Sequence, residues 1–151
     1  MKRPTKIDYY LDIAEAVTHR STCLRRHYGA VIVKNDEIIS TGYNGAARGV
    51  ANCSDTDVCE RERLNIPKGE RYELCKAVHA EQNAIISASR KDMLDSTLYI
   101  TGIEVKKDAE NKYADPKPCL ICSRMIKNAG IKEVIGRTVD GNYIHWNVKD
   151  L

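Results

Sequence analysis

Three side chains in two distant segments of the chain have the types and spacing of a metal site. Cys119 and Cys122 lie three positions apart in the segment PKPCLIC, so on a helix both thiols occupy one face. Pro118 is favoured in the first turn of a helix, where unpaired N–H groups and the helix dipole stabilise thiolates. His79, in the segment VHAEQNAII, opens another apolar helix and supplies a nitrogen ligand. Together these residues predict a Zn²⁺ site with three protein ligands, and catalytic zinc sites leave the fourth position to water.

Glu81 follows His79 by two positions, where it is better placed to move protons than to bind the metal. Residues two apart differ by about 200° around a helix, so the two side chains approach the helix end from different sides. Zn²⁺ lowers the pKa of a bound water to about 7, and a carboxylate beside that water can accept its proton and pass it on. The neighbours Ala80 and Ala84 predict that Glu81 is buried, and a buried carboxylate needs such a polar partner.

Each half of this pattern has a simpler interpretation when it stands alone. A single C-x-x-C pair also fits a redox pair or half of a structural zinc site. A lone His on an apolar helix is usually a core residue with its hydrogen bonds satisfied. The two halves together favour the catalytic metal site, because each supplies ligands that the other lacks.

The elements that must position these residues can be read from periodicity. Apolar spacing predicts a helix over residues 5–19, and KNDE between two β-rich runs predicts a hairpin. Residues 43–75 form a long polar segment, which is usual only where a loop is functional or pinned. The remaining elements are a helix from Val78, strands at 97–101 and 132–136, an exposed polar excursion at 102–115, a helix at 119–129 capped by Gly130, and an edge strand in YIHWNV. This alternation predicts an α/β fold with helices on the faces of a sheet, and in such sheets sites form beyond the carboxyl ends of strands.

Both halves of the metal motif match a known signature. His-x-Glu followed by Pro-Cys-x-x-Cys is the pattern of zinc deaminases that act on cytosine or adenine. The segments STCLRRHYGAVIV, ISTGYNGAARG, ELCKAVHAEQNAI and CSRMIKNAGIKEV resemble the deoxycytidylate (dCMP) deaminases and cover most of residues 7–137. The resemblance implies a three-layer, cytidine-deaminase-like fold, with a central mixed sheet of about five strands flanked by helices, in one domain over 1–151. It also implies zinc-dependent hydrolytic deamination of dCMP to dUMP, which would supply dUMP for dTMP synthesis.

The same resemblance assigns roles to residues outside the metal motif. Arg26 would contact the 5′-phosphate, Asn44 the deoxyribose and base, and Ala80 the substrate. Tyr43 and Gly45, in GYNG, would belong to a site for an allosteric deoxynucleoside triphosphate. The family further implies a homo-oligomer, such as a hexamer, that is activated by dCTP and inhibited by dTTP, with Mg²⁺ on the triphosphate.

Three departures from the family pattern bear on the substrate's phosphorylation state and on regulation. Ala47 replaces a frequent Pro, Tyr72 stands where a His is expected, and the stretch 104–117 is longer than in many members. Deamination of dCTP, or of both dCMP and dCTP, is therefore the nearest alternative. A tRNA adenosine deaminase shares the motif, but GYNG and the absence of a strongly basic composition argue against it. A non-catalytic zinc module would have no use for Glu81.

Four further cysteines fit either of two interpretations. Scattered buried thiols are the common state of intracellular cysteine. Three of the four lie inside the long polar segment, however, and together they could bind a second, structural zinc, although their spacings are not those of a standard zinc finger. His19 and His27 are substitute ligands if one cysteine is distant. The four are Cys23, Cys53, Cys59 and Cys75.

Composition limits the remaining possibilities. A chain of 151 residues with a net charge of +3 fits one domain and does not by itself indicate a nucleic-acid or membrane partner. No apolar run approaches the ~20 residues of a membrane span, and no apolar stretch follows the basic N-terminus, so we expect a cytoplasmic protein. The run CERERL (59–64) has the composition of a solvated helical face, and Arg25 with Arg26 would ordinarily be surface charges.

Overall fold

The structure, a computed structural model, describes residues 2–106, 110 and 112–151. The helices are α1 (Lys6–Thr18), α2 (Cys53–Thr56), α3 (Glu60–Arg63), α4 (Ala80–Ile86), α5 (Arg90–Met93) and α6 (Leu120–Ala129). The strands are β1 (Arg26–Lys34), β2 (Glu37–Tyr43), β3 (Gly45–Ala46), β4 (Ala77–Val78), β5 (Thr97–Glu104), β6 (Lys112–Tyr113), β7 (Glu133–Arg137) and β8 (Tyr143–Asn147). Short 3₁₀ turns span Tyr72–Leu74 and Val148–Asp150.

The central sheet is mixed, with the strand order β2-β1-β5-β7-β8 and the short β6 added to β5. Strands β5 and β7 are parallel, with Thr97 opposite Glu133, and the other pairs are antiparallel. The predicted α/β class, with a mixed core sheet of five strands and flanking helices, is therefore confirmed. The edge position predicted for YIHWNV is also correct, since β8 borders the sheet.

Helices cover both faces of this sheet and produce three layers. On one face α1 buries Leu11 and Ala14 against Val31 and Ile135. On the other face α4, α5 and α6 share a larger core with β1, β5 and β7. The buried residues that form that core are Ala30, Ile32, Ala80, Ala84, Met93, Leu98, Ile100, Ile126, Ala129, Ile131, Val134 and Val148. The second face matters most here, because α4 and α6 carry the candidate metal ligands.

The close approach of α4 to the sheet depends on a small residue in β2. A Cβ atom on Gly42 would lie 2.4 Å from both the carbonyl oxygen of Ala80 and the backbone nitrogen of Ala84. Two residues earlier in β2, and on the same face of the strand, the Ser40 hydroxyl donates a hydrogen bond to the carbonyl of Ala84 at 2.7 Å. Strand β2 thus fixes the position of the helix that begins beside His79.

Two segments are more ordered than their composition predicted. The long polar stretch 43–75 contains α2, α3 and β3, which pairs with β4. The excursion at 102–115 was expected to be exposed, but β5 continues to Glu104, and Ala114 is buried. Pro116 then packs where Gly136 leaves room, since a Cβ there would lie 2.5 Å from the proline. Residues 107–109 and 111 of that excursion lie outside the described residues. Across the described part of the chain, no helix has the length and apolarity needed to cross a membrane.

Candidate active site

Two helix starts meet at one end of the sheet and bring the predicted ligands together. His79 is the N-cap of α4, held at that position by β4, which pairs with β3. Its backbone N–H donates to Gln82 Oε1 at 2.8 Å, which fixes the first turn. Cys119 is the N-cap of α6, and its Sγ accepts a hydrogen bond from the backbone N–H of Cys122 at 3.4 Å. At the other end of α6, Gly130 takes the left-handed conformation of a C-cap, as predicted.

The spacing of the three ligand atoms suits one zinc ion. His79 Nδ1 lies 3.7 Å from Cys119 Sγ and 3.3 Å from Cys122 Sγ. All three atoms lie within 4.8 Å of one another. Tetrahedral bonds of about 2.0–2.3 Å place neighbouring ligand atoms on the order of 3.5 Å apart, so Zn²⁺ fits this His/Cys/Cys set.

The protonation of these groups also favours a cation between them. A hydrogen bond with the Cys122 thiol, reinforced by one with His79, lowers the pKa of Cys119 to about 4. The same contact with Cys119, followed by burial, raises the pKa of Cys122. The hydrogen bond with Cys119 raises the pKa of His79. One thiolate therefore forms readily, whereas a second needs added positive charge, which a metal ion supplies.

Glu81 stands beside this set without joining it. Its side chain is 5% exposed, and burial raises the pKa of its carboxyl group. Burial is the largest cause of this shift; His79 and the Cys122 thiol act in the opposite direction and lower the pKa, whereas Cys119 raises it. Its oxygens are not part of the cluster of ligand atoms within 4.8 Å. A buried carboxyl group with a raised pKa, next to a metal site, suits proton transfer.

A cavity of about 280 Å³ opens in front of these residues. Of the residues that the sequence assigned to substrate, Arg26, Asn44 and Ala80 line it. Tyr43 and Gly45, which were assigned to an allosteric site, do not. Tyr43 instead lies at the end of β2, where its carbonyl accepts a hydrogen bond from Asn83 Nδ2 at 2.8 Å.

The side chains of Arg26 and Asn44 already have protein partners. Arg26 Nε lies 3.3 Å from Glu104 Oε1. Asn44 Oδ1 accepts hydrogen bonds from Ser21 Oγ at 2.6 Å and from the backbone N–H of Tyr28 at 2.8 Å, and its Nδ2 donates to the Arg26 carbonyl at 2.9 Å. An amide NH₂ carries two donors, and among the described residues only the Arg26 carbonyl accepts from that of Asn44, so its other N–H could serve a ligand.

The four other cysteines gather at one side of the same cavity. Cys23, Cys59 and Cys75 line it, and Cys53 is close enough to all three for their charges to raise its pKa, although burial is the larger cause. Among the described residues, only the His79 set brings three ligand atoms within 4.8 Å of one another. His27, a candidate substitute ligand, has its Nε2 2.8 Å from the Cys23 carbonyl oxygen.

Several residues that line the cavity were missed or misjudged from sequence. Arg61, in the run expected to be a solvated face, is 7% exposed, because α3 is a single turn that turns this side chain inward. Tyr28 lies on β1, where burial raises the pKa of its phenol and its hydroxyl donates to the Asp115 carbonyl at 2.9 Å. Tyr72 lies edge-on to His79, with ring centres 6.0 Å apart. Only the packing of distant segments reveals these contacts, since no periodicity marks them.

The geometry therefore defines a class of protein: an α/β protein in which a candidate metal site lies beside a buried carboxyl group and borders a ligand-sized cavity, an arrangement typical of zinc-dependent hydrolases. A family model described as the cytidine and deoxycytidylate deaminase zinc-binding region matches residues 4–138. The chain belongs to this family of zinc-binding deaminases, which are hydrolases, and its relatives group it with the dCMP deaminases.

Individual relatives agree with this assignment. The deoxycytidylate deaminase of Mycobacterium phage D29 is 39% identical over 141 residues, which cover 89% of this chain and 96% of the phage protein. The deoxycytidylate deaminase of Schizosaccharomyces pombe is 34% identical over 90% of this chain, but the match spans only 38% of the yeast protein. The crystal structure of the dCMP deaminase from cyanophage S-TIM5 in complex with dCMP and dUMP has a TM-score of 0.63 and 30% identity, covering 91% of this chain and 85% of that one.

Proposed function

We propose that this protein hydrolyses dCMP to dUMP and ammonia, and so supplies dUMP for dTMP synthesis. The observation that carries the proposal is the buried carboxyl group of Glu81 beside the His/Cys/Cys set, facing a cavity lined by cationic side chains. A structural zinc site has no need of such a group. The relatives named deoxycytidylate deaminase, and the phage enzyme with dCMP and dUMP bound, support the choice of substrate.

In this mechanism His79, Cys119 and Cys122 would hold Zn²⁺. When bound, the ion would act as a Lewis acid that makes water nucleophilic near neutral pH. Glu81 accepts a proton from the attacking water and delivers it to N3 of the pyrimidine while oxygen bonds to C4. Glu81 then transfers the second proton to the amino group, so that the C4–N bond breaks and ammonia leaves. The backbone N–H of Cys119, at the start of α6, would stabilise the oxygen at C4.

The test is a comparison of substrates. Purified zinc-loaded protein is incubated separately with dCMP, dCTP, deoxycytidine and CMP, and ammonia release is followed. We expect dCMP to have the highest kcat/KM. Faster turnover of dCTP would support the alternative of a dCTP or dual-substrate enzyme, and activity on none of the four would support a non-catalytic zinc module.

Regulation and assembly are proposed from the family. We expect dCTP to activate and dTTP to inhibit, with Mg²⁺ on the triphosphate. We assign the effector site to Tyr43 and Gly45, which do not line the cavity. We also expect a homo-oligomer such as a hexamer, since apolar side chains are exposed on the α4–α6 layer, with Leu120 81% and Ile86 61% exposed. Assays with each effector, repeated on Tyr43→Ala, test the regulation. Sedimentation velocity tests the assembly, and a monomer at micromolar concentration would contradict it.

A second, structural zinc is proposed for Cys23, Cys53, Cys59 and Cys75. Cys23, Cys59 and Cys75 line the same cavity, and all three are close enough to Cys53 for their charges to raise its pKa, after burial as the larger cause. Backbone N–H groups already donate to two of the sulfurs, from Arg25 to Cys23 at 3.5 Å and from Ala77 to Cys75 at 3.4 Å. Metal analysis should find two zinc ions per chain in the natural protein and one in Cys53→Ser. One ion in both proteins would contradict the second site.

A further inference from the structure

Arg61 is a buried cation for which the described residues supply no counter-ion. It is 7% exposed, and no carboxylate of the described chain lies within ion-pair distance of it. One terminal nitrogen, Nη2, donates to the carbonyls of Pro67 and Glu70, both at 2.8 Å. The buried Nε has no acceptor within residues 2–106, 110 and 112–151. A guanidinium has five N–H donors, so most of its capacity is unused.

This arrangement is costly unless an anion completes it. A buried charge that lacks a partner loses solvation without compensation, and for that reason buried arginines are normally paired. The other two arginines of the same cavity are more exposed than Arg61, and yet both are paired. Arg25 lies 3.0 Å from Glu62, and Arg26 lies 3.3 Å from Glu104. Within the described part of the chain, Arg61 is thus the arginine of the cavity that has no carboxylate partner.

The position of Arg61 connects this charge to the metal site. Arg61 lines the cavity that also contains His79 and Glu81. Its guanidinium carbon lies 4.9 Å from the centre of the Tyr72 ring, and the same ring contacts His79 edge-on at 6.0 Å. Lys68, which follows one of the residues that Arg61 holds, adds a second cationic side chain to the cavity wall. An anionic group on a ligand whose ring reaches the metal site would meet both cations.

We propose that Arg61, assisted by Lys68, binds the 5′-phosphate of the nucleotide substrate, in addition to holding the 67–70 loop. This inference rests on the proposed function, and it assigns the main phosphate contact to Arg61 instead of Arg26. Glu104 neutralises Arg26, so that side chain has less charge to offer. A guanidinium whose Nη2 is already bound still presents other N–H groups to phosphate oxygens, and a buried charge-assisted contact is among the stronger hydrogen bonds.

The test separates phosphate binding from a purely structural role. Arg61→Gln and Arg61→Lys are compared with Arg63→Gln, a control on the same helix whose exposed side chain pairs with Glu60. For each variant we measure kcat/KM with dCMP and with deoxycytidine, the dissociation constant of dUMP, zinc content and thermal unfolding. We expect Arg61→Gln to lower kcat/KM for dCMP and to weaken dUMP binding by about 10- to 150-fold. Deoxycytidine turnover should change less than threefold, Arg61→Lys should retain part of the discrimination, and Arg63→Gln should match the natural protein.

Other outcomes overturn the inference. An equal loss on both substrates, with lower thermal stability, would show that Arg61 only holds the 67–70 loop. Unchanged dUMP binding in Arg61→Gln, with a loss in Arg26→Gln, would assign the phosphate to Arg26. If the natural protein releases no ammonia from either the nucleotide or the nucleoside, the proposed deamination is wrong. Unchanged binding of dUMP by Arg61→Gln would then reject the phosphate contact as well.

Discussion

At the scale of single residues, the site depends on where charge is buried. Glu81 occupies the first turn of α4, where apolar neighbours exclude water and burial raises the pKa of its carboxyl group. His79 and Cys122 lie at two helix starts that meet, so the candidate metal ligands share one small volume, and the Glu81 carboxyl group is close enough to them for their charges to affect its pKa. A buried carboxyl group whose pKa is raised in this way suits the acceptance and release of a proton during a reaction.

The Glu81→Gln substitution tests this role directly. The amide keeps the size of the side chain but cannot accept and deliver the proton, so we expect kcat to fall by about 10²- to 10⁴-fold or more. Zinc content should remain that of the natural protein, because Glu81 is outside the ligand set. Steady-state ammonia release and metal analysis on the same sample provide the measurement. A variant that stays active would show that another group moves the proton.

At the scale of elements, the sheet sets the distance between the helix starts. Strand β2 touches α4 through Ser40 and Gly42, and β5 and β7 support α6 through the shared core. The position of His79 therefore depends on how closely α4 packs against β2. A change in that packing would displace α4 and His79 together, because packed interiors contain few voids.

Gly42→Ala should disturb the metal site through the backbone of α4. The added Cβ meets backbone atoms of α4 at 2.4 Å, which cannot move without displacing the helix. We expect a loss of about 1–3 kcal/mol in unfolding free energy and weaker zinc binding. Ser40→Ala is the matched control, because it removes one hydrogen bond to the same helix without adding volume. It should cost about 1 kcal/mol and leave zinc affinity unchanged. Denaturant unfolding and competition with a chromogenic chelator measure both effects, and equal zinc affinities would contradict this coupling.

The contacts between the β1–β2 hairpin and α1 should stabilise the folded protein in a pH-dependent way. The Asp36 carboxylate accepts hydrogen bonds from Lys6 and Tyr10, and these contacts lower its pKa below the usual value, with Lys6 the larger cause. The folded protein therefore holds the carboxylate more strongly than the unfolded chain does. Its stabilisation is present above the ordinary pKa of 3.8 and is lost as the pH falls through the lowered value.

The substitution Asp36→Asn makes that connection measurable. Asn also accepts the positive φ of 62° found at this turn, so the backbone should not be strained. We expect the variant to unfold at a lower temperature than the natural protein at pH 7, with the difference shrinking as the pH falls below 3.8. Thermal unfolding by circular dichroism from pH 2 to pH 7 gives the comparison. A difference that persists unchanged in acid would show that the carboxylate charge is not responsible.

At the scale of the whole molecule, the metal site joins parts that the chain keeps apart. His79 and Cys119 are separated by 40 positions, and α4 and α6 meet on one face of the sheet. A metal ion there links two helices, and anything that binds only the folded state stabilises it by mass action.

Zinc removal should therefore lower the stability of the entire fold. Dialysis against a chelator is expected to reduce the unfolding midpoint, and added Zn²⁺ should restore it in a concentration-dependent way. The effect is about 4 kcal/mol when free zinc exceeds its dissociation constant a thousandfold. Differential scanning calorimetry measures the unfolding midpoint. The Cys119→Ser control, which lacks one ligand, should show little response to zinc at the first site. An unchanged midpoint in the chelated natural protein would contradict this expectation.

The sequence by itself determined the class of fold, the metal ligands and the neighbouring carboxylate, because these follow from local patterns. Periodicity marks helices and strands, and the spacing of Cys119 and Cys122 is set within one helical turn. The register of β1 against β5, the burial of Arg61, and the ordering of the 112–118 segment against Gly136 were decided only in the tertiary structure. Each of these depends on segments that are distant along the chain, and a side chain's environment in such contacts is not encoded by its nearest neighbours. The charge of Arg61 is visible in the sequence, but its burial without a carboxylate partner among the described residues appears only when the chain is folded.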